Sequence, residues 1–139
     1  MKLFTIAVAA LCCLASLAMA GEVGPNKGPC AEWGEEEYHL EVVPDAKTGT
    51  VTVYVYGNDK ELAKGTRKPL PKDTKITLTI KTEKPTVMKL EAAPDKVDPE
   101  GKCSKFTAKH TVFTKEMKWA GSVSAKVNGK AYTGDFKQE

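Results

Sequence analysis

Two histidines, four methionines and four cysteines are the side chains of this 139-residue chain best suited to soft or borderline metals. Imidazole suits Cu(II) and Zn(II), and thioethers suit Cu(I), so His39 and His110 with Met88 and Met117 raise transition-metal binding as one chemistry. Glu37 and Glu116 are acidic neighbours that could complete such a site, with each ligand about 2.0–2.2 Å from the ion. This requires the first strand to pack beside the loop that precedes Trp119. Periodicity counts against the methionines. Met88 shares the strand parity of Leu90, and Met117 that of Trp119, so both read as core fillers. His39 falls on an outward strand face and His110 in a turn, which leaves His39, His110 and Glu116 as the metal reading.

Nucleophilic and phosphate chemistry find less support. The chain has no GxSxG elbow, no HExxH helix and no phosphate-cradling glycine loop. Ser122 and Ser124 alternate along a strand on its solvent parity, and Glu35-Glu36-Glu37 reads as a solvated charge run. A non-enzymatic protein without a cofactor is expected. Trp33, Tyr54 and Tyr56 fall on exposed parity and could form an adhesive aromatic patch for a partner protein or small ligand. Alternatively, the N-terminal arm folds back and covers them.

The elements that must carry these residues begin with an export signal. Lys2 is followed by an apolar run from Leu3 to Leu17, and Ala18-Met19-Ala20 offers the small residues that a signal peptidase reads. The run is short for a membrane span and lacks a cationic stop-transfer flank. Residues 1–20 are therefore expected to be removed, leaving a periplasmic or secreted chain with no membrane span. Loss of Lys2 takes the formal charge from +3 to about +2. That balance, with lysines spread along the chain, argues against nucleic acid. About 120 residues suffice for one modest domain, expected to be a monomer. Cys30 and Cys103 remain after cleavage. An even count in an oxidising compartment reads as a Cys30–Cys103 disulfide, and no CxxC spacing supports a thiolate metal pair.

Residues 21–36 are rich in Gly and Pro and read as an irregular arm; 37–139 read as the domain. Tyr38, Leu40 and Val42 alternate with His39, Glu41 and Val43. Val51, Val53 and Val55 alternate with Thr52, Tyr54 and Tyr56, and "DAKTG" joins the two runs as a hairpin. "KITLTIK", "VMKLEAA" and "CSKFTAKH" continue the alternation, with Phe106 as a core residue. Between them, "KELAKG" is too short for a helix that is stable alone. Asn128-Gly129 lies between two alternating runs and predicts a type I′ turn, because both turn residues need positive φ. That turn sets the register: Val127 opposite Lys130, Ala125 opposite Tyr132, Val123 opposite Gly134 and Gly121 opposite Phe136. Gly121 and Gly134 would make room for Phe136 and for side chains of a facing sheet. The pattern predicts an all-β, immunoglobulin-like antiparallel sandwich of about seven strands.

The segments "EEEYHLEVVPD", "VTVYV", "PEGKCSKF" and "VNGKAYTGDF" together resemble a group of small exported bacterial proteins, of planctomycete type, that have no assigned function. The resemblance covers most of the chain after the signal and implies a periplasmic or secreted β-domain. It supplies no catalytic residue. This chain departs from the group at Cys103, where the resemblance implies serine, which makes a Cys30–Cys103 bridge particular to this member. The functional expectation is an exported, non-enzymatic binding or accessory domain. The alternative is a periplasmic copper- or zinc-binding protein that uses His39 and His110.

Overall fold

The computed structural model describes residues 22–139, and the expected signal peptide over 1–20 lies outside the described residues. The strands in chain order begin with β1 (Cys30–Trp33), β2 (Tyr38–Asp45), β3 (Thr50–Tyr56), β4 (Leu70–Pro71) and β5 (Ile76–Ile80). They continue with β6 (Thr86–Lys89), β7 (Glu91–Ala92), β8 (Lys102–Cys103), β9 (Lys105–Lys109), β10 (Ala120–Val127) and β11 (Lys130–Lys137). One helix, α1 (Asp59–Lys64), follows β3. The fold is all-β with antiparallel pairing throughout. One sheet runs β1-β2-β3-β9-β7, a second runs β11-β10-β5-β6, and β4 with β8 forms a two-stranded patch. The expected strands are present. The count is higher because β1, β4, β7 and β8 are short segments whose pairing has no periodic signature. Among the described residues no helix is long and apolar enough to cross a membrane.

The C-terminal hairpin follows the expected register pair by pair, from Val127↔Lys130 to Gly121↔Phe136. Asn128 and Gly129 have φ of 50° and 82°, the left-handed conformations that a type I′ turn requires. Val123, Val127, Tyr132 and Phe136 are buried and join Trp119 in the core. Gly134 has a different purpose from the one its pattern implies. A Cβ there would lie 2.2 Å from the Glu32 carbonyl oxygen, so the glycine admits the backbone of β1.

Both sheets contribute to one continuous core. Leu40, Val42, Val51, Val53, Val55 and Phe106 of the first meet Ile76, Leu78, Ile80 and Val123 of the second, all fully buried. Burying a side chain of this kind stabilises by roughly 1.5–3 kcal/mol. The arm is not wholly irregular: β1 lies within it and pairs with β2, with Trp33 opposite Tyr38. That pairing carries Trp33 into the core, where it stacks on Tyr132 at 5.4 Å and donates its indole N–H to the Val123 carbonyl at 2.9 Å. The exposed parity expected for Trp33 is thereby overturned. Met117 is also displaced from its expected place, since it lies exposed in the connection to Trp119; Met88 packs partly buried against the core.

Among the described residues, Cys30 and Cys103 are free and buried. Cys30 packs with Tyr56 and Leu62, while Cys103 belongs to the main core. The expected disulfide is absent because the thiols occupy separate clusters. Alternation with Phe106 would set Cys103 on the outward face, but β8 pairs with β4 there and the thiol is buried.

Candidate functional site

The outer face of β2 and β3 is where the structure departs most from simple alternation. His39 and Glu41 have the parity of a solvent face, yet both are fully buried. Two non-periodic segments cover them. The first is the arm from Glu22 to Pro29, closed on itself by the Val23↔Pro29 bridge and by the Gly24 N–H donating to the Gly28 carbonyl at 2.9 Å. A Cβ at Gly28 would lie 2.4 Å from the Val42 carbonyl oxygen, so only glycine lets the arm lie this close to β2. The second segment is α1. Asn58 caps it, and Asn58 with Glu61 forms a reciprocal capping box, while Gly65 at φ 70° ends it. Leu62 is its buried residue.

Glu41 fastens the arm. Its carboxylate accepts hydrogen bonds from the backbone N–H groups of Asn26 and Gly28 at 2.8 Å each. It also accepts from Asn26 Nδ2 at 2.9 Å and from the Tyr56 hydroxyl at 3.2 Å. A buried carboxylate is tolerated only when it is satisfied in this way. Burial and then the Glu41 charge push the Tyr56 phenol upward.

His39 is held differently. Its Nδ1 lies 2.7 Å from the Gly57 carbonyl oxygen, which can only accept. Nδ1 therefore carries the proton, and in the neutral ring the lone pair sits on Nε2. Nε2 faces Glu22 Oε2 at 2.9 Å and Asp59 Oδ1 at 3.0 Å. Neither contact has hydrogen-bond geometry, and Nε2 is a buried polar atom without a hydrogen-bond partner. With the ring neutral, three acceptors point at one another; with a second proton, Nε2–H lies between two carboxylate oxygens.

More negative charge surrounds this trio. Burial, followed by the charges of Asp59 and Glu32, raises the Glu22 carboxyl above its ordinary 4.5, against a lowering pull from His39. A hydrogen bond with Asp59, and that group's charge, raise Glu36 in the same direction. Among the described groups that shift these two carboxyls, His39 alone can carry positive charge. Glu22, His39 and Asp59 offer one ligand atom each, all within 4.8 Å of one another. Ligands at about 2.0–2.2 Å and about 90° to each other, as in a tetragonal Cu(II) site, would be about 2.8–3.1 Å apart, as both His39 contacts are. A tetrahedral Zn(II) would set them about 3.3–3.6 Å apart, a few tenths of an ångström wider. Glu22 and Asp59 are each about half exposed, at 47% and 49% of their side chains, so the cluster opens to solvent.

The residues expected from sequence divide unevenly over this geometry. His39 is at its centre. His110 is exposed, and its Nδ1 accepts a hydrogen bond from the Val112 N–H at 3.0 Å, capping the 3-10 turn Thr111–Thr114. His39 pairs with Tyr56 at one end of β3, whereas His110 bonds to Gly49 beside the other end. Six residues of strand separate those ends by about 20 Å, so the two imidazoles do not converge. Glu116 is exposed beside Met117, away from His39. Glu37 is occupied elsewhere: it accepts from the Tyr132 hydroxyl at 2.8 Å and from Lys130 at 3.3 Å. The aromatic patch also dissolves. Trp33 and Tyr56 are buried, and the half-buried Tyr54 lies beneath the Arg67 guanidinium, 4.6 Å from the ring centroid. Sequence reading missed Glu22 and Asp59. The one available signal was the capping pattern Asn58-Asp59-Lys60-Glu61, which marks Asp59 as the first residue of a helix.

Comparison with family models, with curated proteins and with solved structures gives no match.

Proposed function

We propose that this protein is an exported, non-enzymatic β-domain that binds one divalent transition-metal ion through Glu22, His39 and Asp59. The observation that carries this reading is the fully buried His39 Nε2, unbonded and faced by two carboxylate oxygens at 2.9 and 3.0 Å. A cation at that point turns mutual repulsion into coordination. The Nδ1–H contact with a backbone carbonyl is the outer support that orients metal-binding histidines and fixes their tautomer. Imidazole favours Zn(II), Cu(II) and their neighbours, whereas carboxylates alone would favour Mg(II) or Ca(II). The mixed donor set therefore selects Cu(II) or Zn(II), with Cu(II) the tighter in the usual order of affinities. Two sheets around one core support an immunoglobulin-like sandwich as the scaffold.

Calorimetric titration of metal-stripped protein with Zn(II) or Cu(II) tests the reading. One ion per chain is expected, weakened at least about tenfold by His39→Ala or Asp59→Asn. His110→Ala and Glu116→Gln should leave the affinity unchanged. Weak binding that ignores His39→Ala would show instead that the trio is an imidazolium held between two carboxylates.

A further inference from the structure

Resting on that metal site, we infer that the ion is a clasp: it holds the start of the arm and helix α1 down on the sheet, and so controls access to the Cys30 thiol. The three ligands belong to three separate segments, with Glu22 on the arm, His39 on β2 and Asp59 on α1. Two of these segments are the covers of Cys30. The Glu22 carbonyl accepts the Cys30 N–H at 2.9 Å, and Leu62 of α1 packs with Cys30 and Tyr56 in a small cluster apart from the main core.

The start of the arm is held by backbone bonds, the Val23↔Pro29 bridge and the Cys30 N–H to the Glu22 carbonyl, and not by buried side chains. Val23 is 63% exposed, so the start of the arm has no apolar anchor there. The bonds to Glu41 fasten only Asn26 and Gly28. Helix α1 has six residues and one buried side chain, too little to stand without tertiary support. Against these weak contacts stands the closeness of the Glu22 and Asp59 carboxylates, whose oxygens lie within 4.8 Å of each other and of His39 Nε2. With His39 neutral and no cation present they favour separation of the covers from the sheet, and a bound ion ties them together. Any opening that uncovers Cys30 by moving the arm or α1 must dismantle the ligand set.

That requirement makes the inference quantitative. If opening destroys the site, an ion at free concentration [L] lowers the open population by the factor 1 + [L]/Kd, about 100-fold at 100 times Kd. Cys103 is an internal reference, since it is fully buried in the main core, at 0% accessibility. Its modification requires much wider unfolding.

The experiment is maleimide labelling of the purified protein, with each cysteine followed separately by peptide mass, with and without Zn(II) at 100 times the calorimetric Kd. In metal-free protein Cys30 should label well ahead of Cys103, and Zn(II) should slow Cys30 about 100-fold. Asp59→Asn should remove most of that slowing at the same Zn(II) concentration. Leu62→Ala, which touches no ligand, should speed metal-free labelling of Cys30 and keep the response to Zn(II). Calorimetric binding with no change in the Cys30 rate overturns the clasp and leaves the metal site standing. Equal rates for the two thiols without metal also overturn it, as does full slowing in Asp59→Asn. Absence of calorimetric binding removes the metal site, and the clasp with it.

Discussion

The C-terminal hairpin and the hairpin of β2 and β3 have the same alternating grammar and opposite surroundings. In β10 and β11 the residues off the core face, such as Lys126, Thr133 and Asp135, are open or half-open to water. In β2 the equivalent residues His39 and Glu41 are fully buried. Alternation states which side of a strand faces its own core. It is silent about whether a glycine-rich arm or a six-residue helix covers the other side. Where such a cover exists, the residues beneath it are polar, and they are secured by hydrogen bonds and charge.

The sharpest way to break this comparison is to remove the group that fastens the arm. Glu41→Ala would strand the N–H groups of Asn26 and Gly28 and the Tyr56 hydroxyl under the cover. Each unsatisfied buried donor costs about 1–3 kcal/mol, partly relieved if the arm lifts, so a loss of roughly 3 kcal/mol in urea unfolding is expected. Asp135→Ala, at a matching off-core position of the open hairpin, should change stability by no more than about 0.5 kcal/mol. Similar small losses for both would mean that the arm is not held by Glu41.

The hairpin has its own weak point in its turn. Gly129 has φ of 82°, and a Cβ there would meet nothing within 4 Å, so the cost of a side chain is purely conformational. Gly129→Val should destabilise by about 1–3 kcal/mol, because a branched side chain resists left-handed backbone. Thermal unfolding measures it. Zinc affinity should not move, since a side chain at Gly129 meets nothing within 4 Å and Glu22, His39 and Asp59 lie on other segments. A coupled change in affinity would erase the separation between the two regions.

The contrast also explains what could be read from sequence. The register of β10 and β11 was legible to the residue, because Asn128-Gly129 leaves one turn geometry and the pairing follows by counting. The inward parity of Leu40, Val42, Val53 and Phe106 was equally plain. The site was half legible. His39 could be singled out as a ligand type, but its partners lie on segments without a period, and long-range docking brings them to it. The alternative reading sets His110 beside it as a second ligand type, a pairing that parity cannot judge because it places residues on faces, not along them. Only the β3–β9 register, with Thr50 opposite Lys109, shows His110 at the far end of the sheet. The cysteine count suggested a bridge for a similar reason: it gives the number of thiols and not the cluster in which each is buried.

A second cover gives the smallest predicted effect and the finest test of the rule that covers are secured by polar groups. The connection after α1 pairs beside the end of β3 through the Tyr56↔Arg67 bridge, and the Arg67 side chain lies over the Tyr54 ring. Arg67 donates to the fully buried Ser104 hydroxyl at 3.2 Å and to Asp95 at 3.3 Å, while Ser104 donates to Asp98. The Lys96 N–H, and then Arg67, hold the Asp95 carboxyl below its ordinary 3.8 against burial. Burial raises Asp98, but hydrogen bonds from the Asp95 N–H and from Ser104 outweigh it and leave that carboxyl depressed as well. A depressed carboxyl binds its proton more weakly folded than unfolded. Its stabilisation is present above the unfolded pKa near 3.8 and is lost as pH falls through the lower folded value. The thermal midpoint should therefore drop between about pH 5 and pH 3, and Asp98→Asn should shrink that drop while lowering the midpoint near neutrality. The effect will be modest, because both carboxylates are partly exposed and screened by solvent. An acid response unchanged in Asp98→Asn would assign it to other carboxylates and leave this cover held by the Arg67 stack on Tyr54 alone.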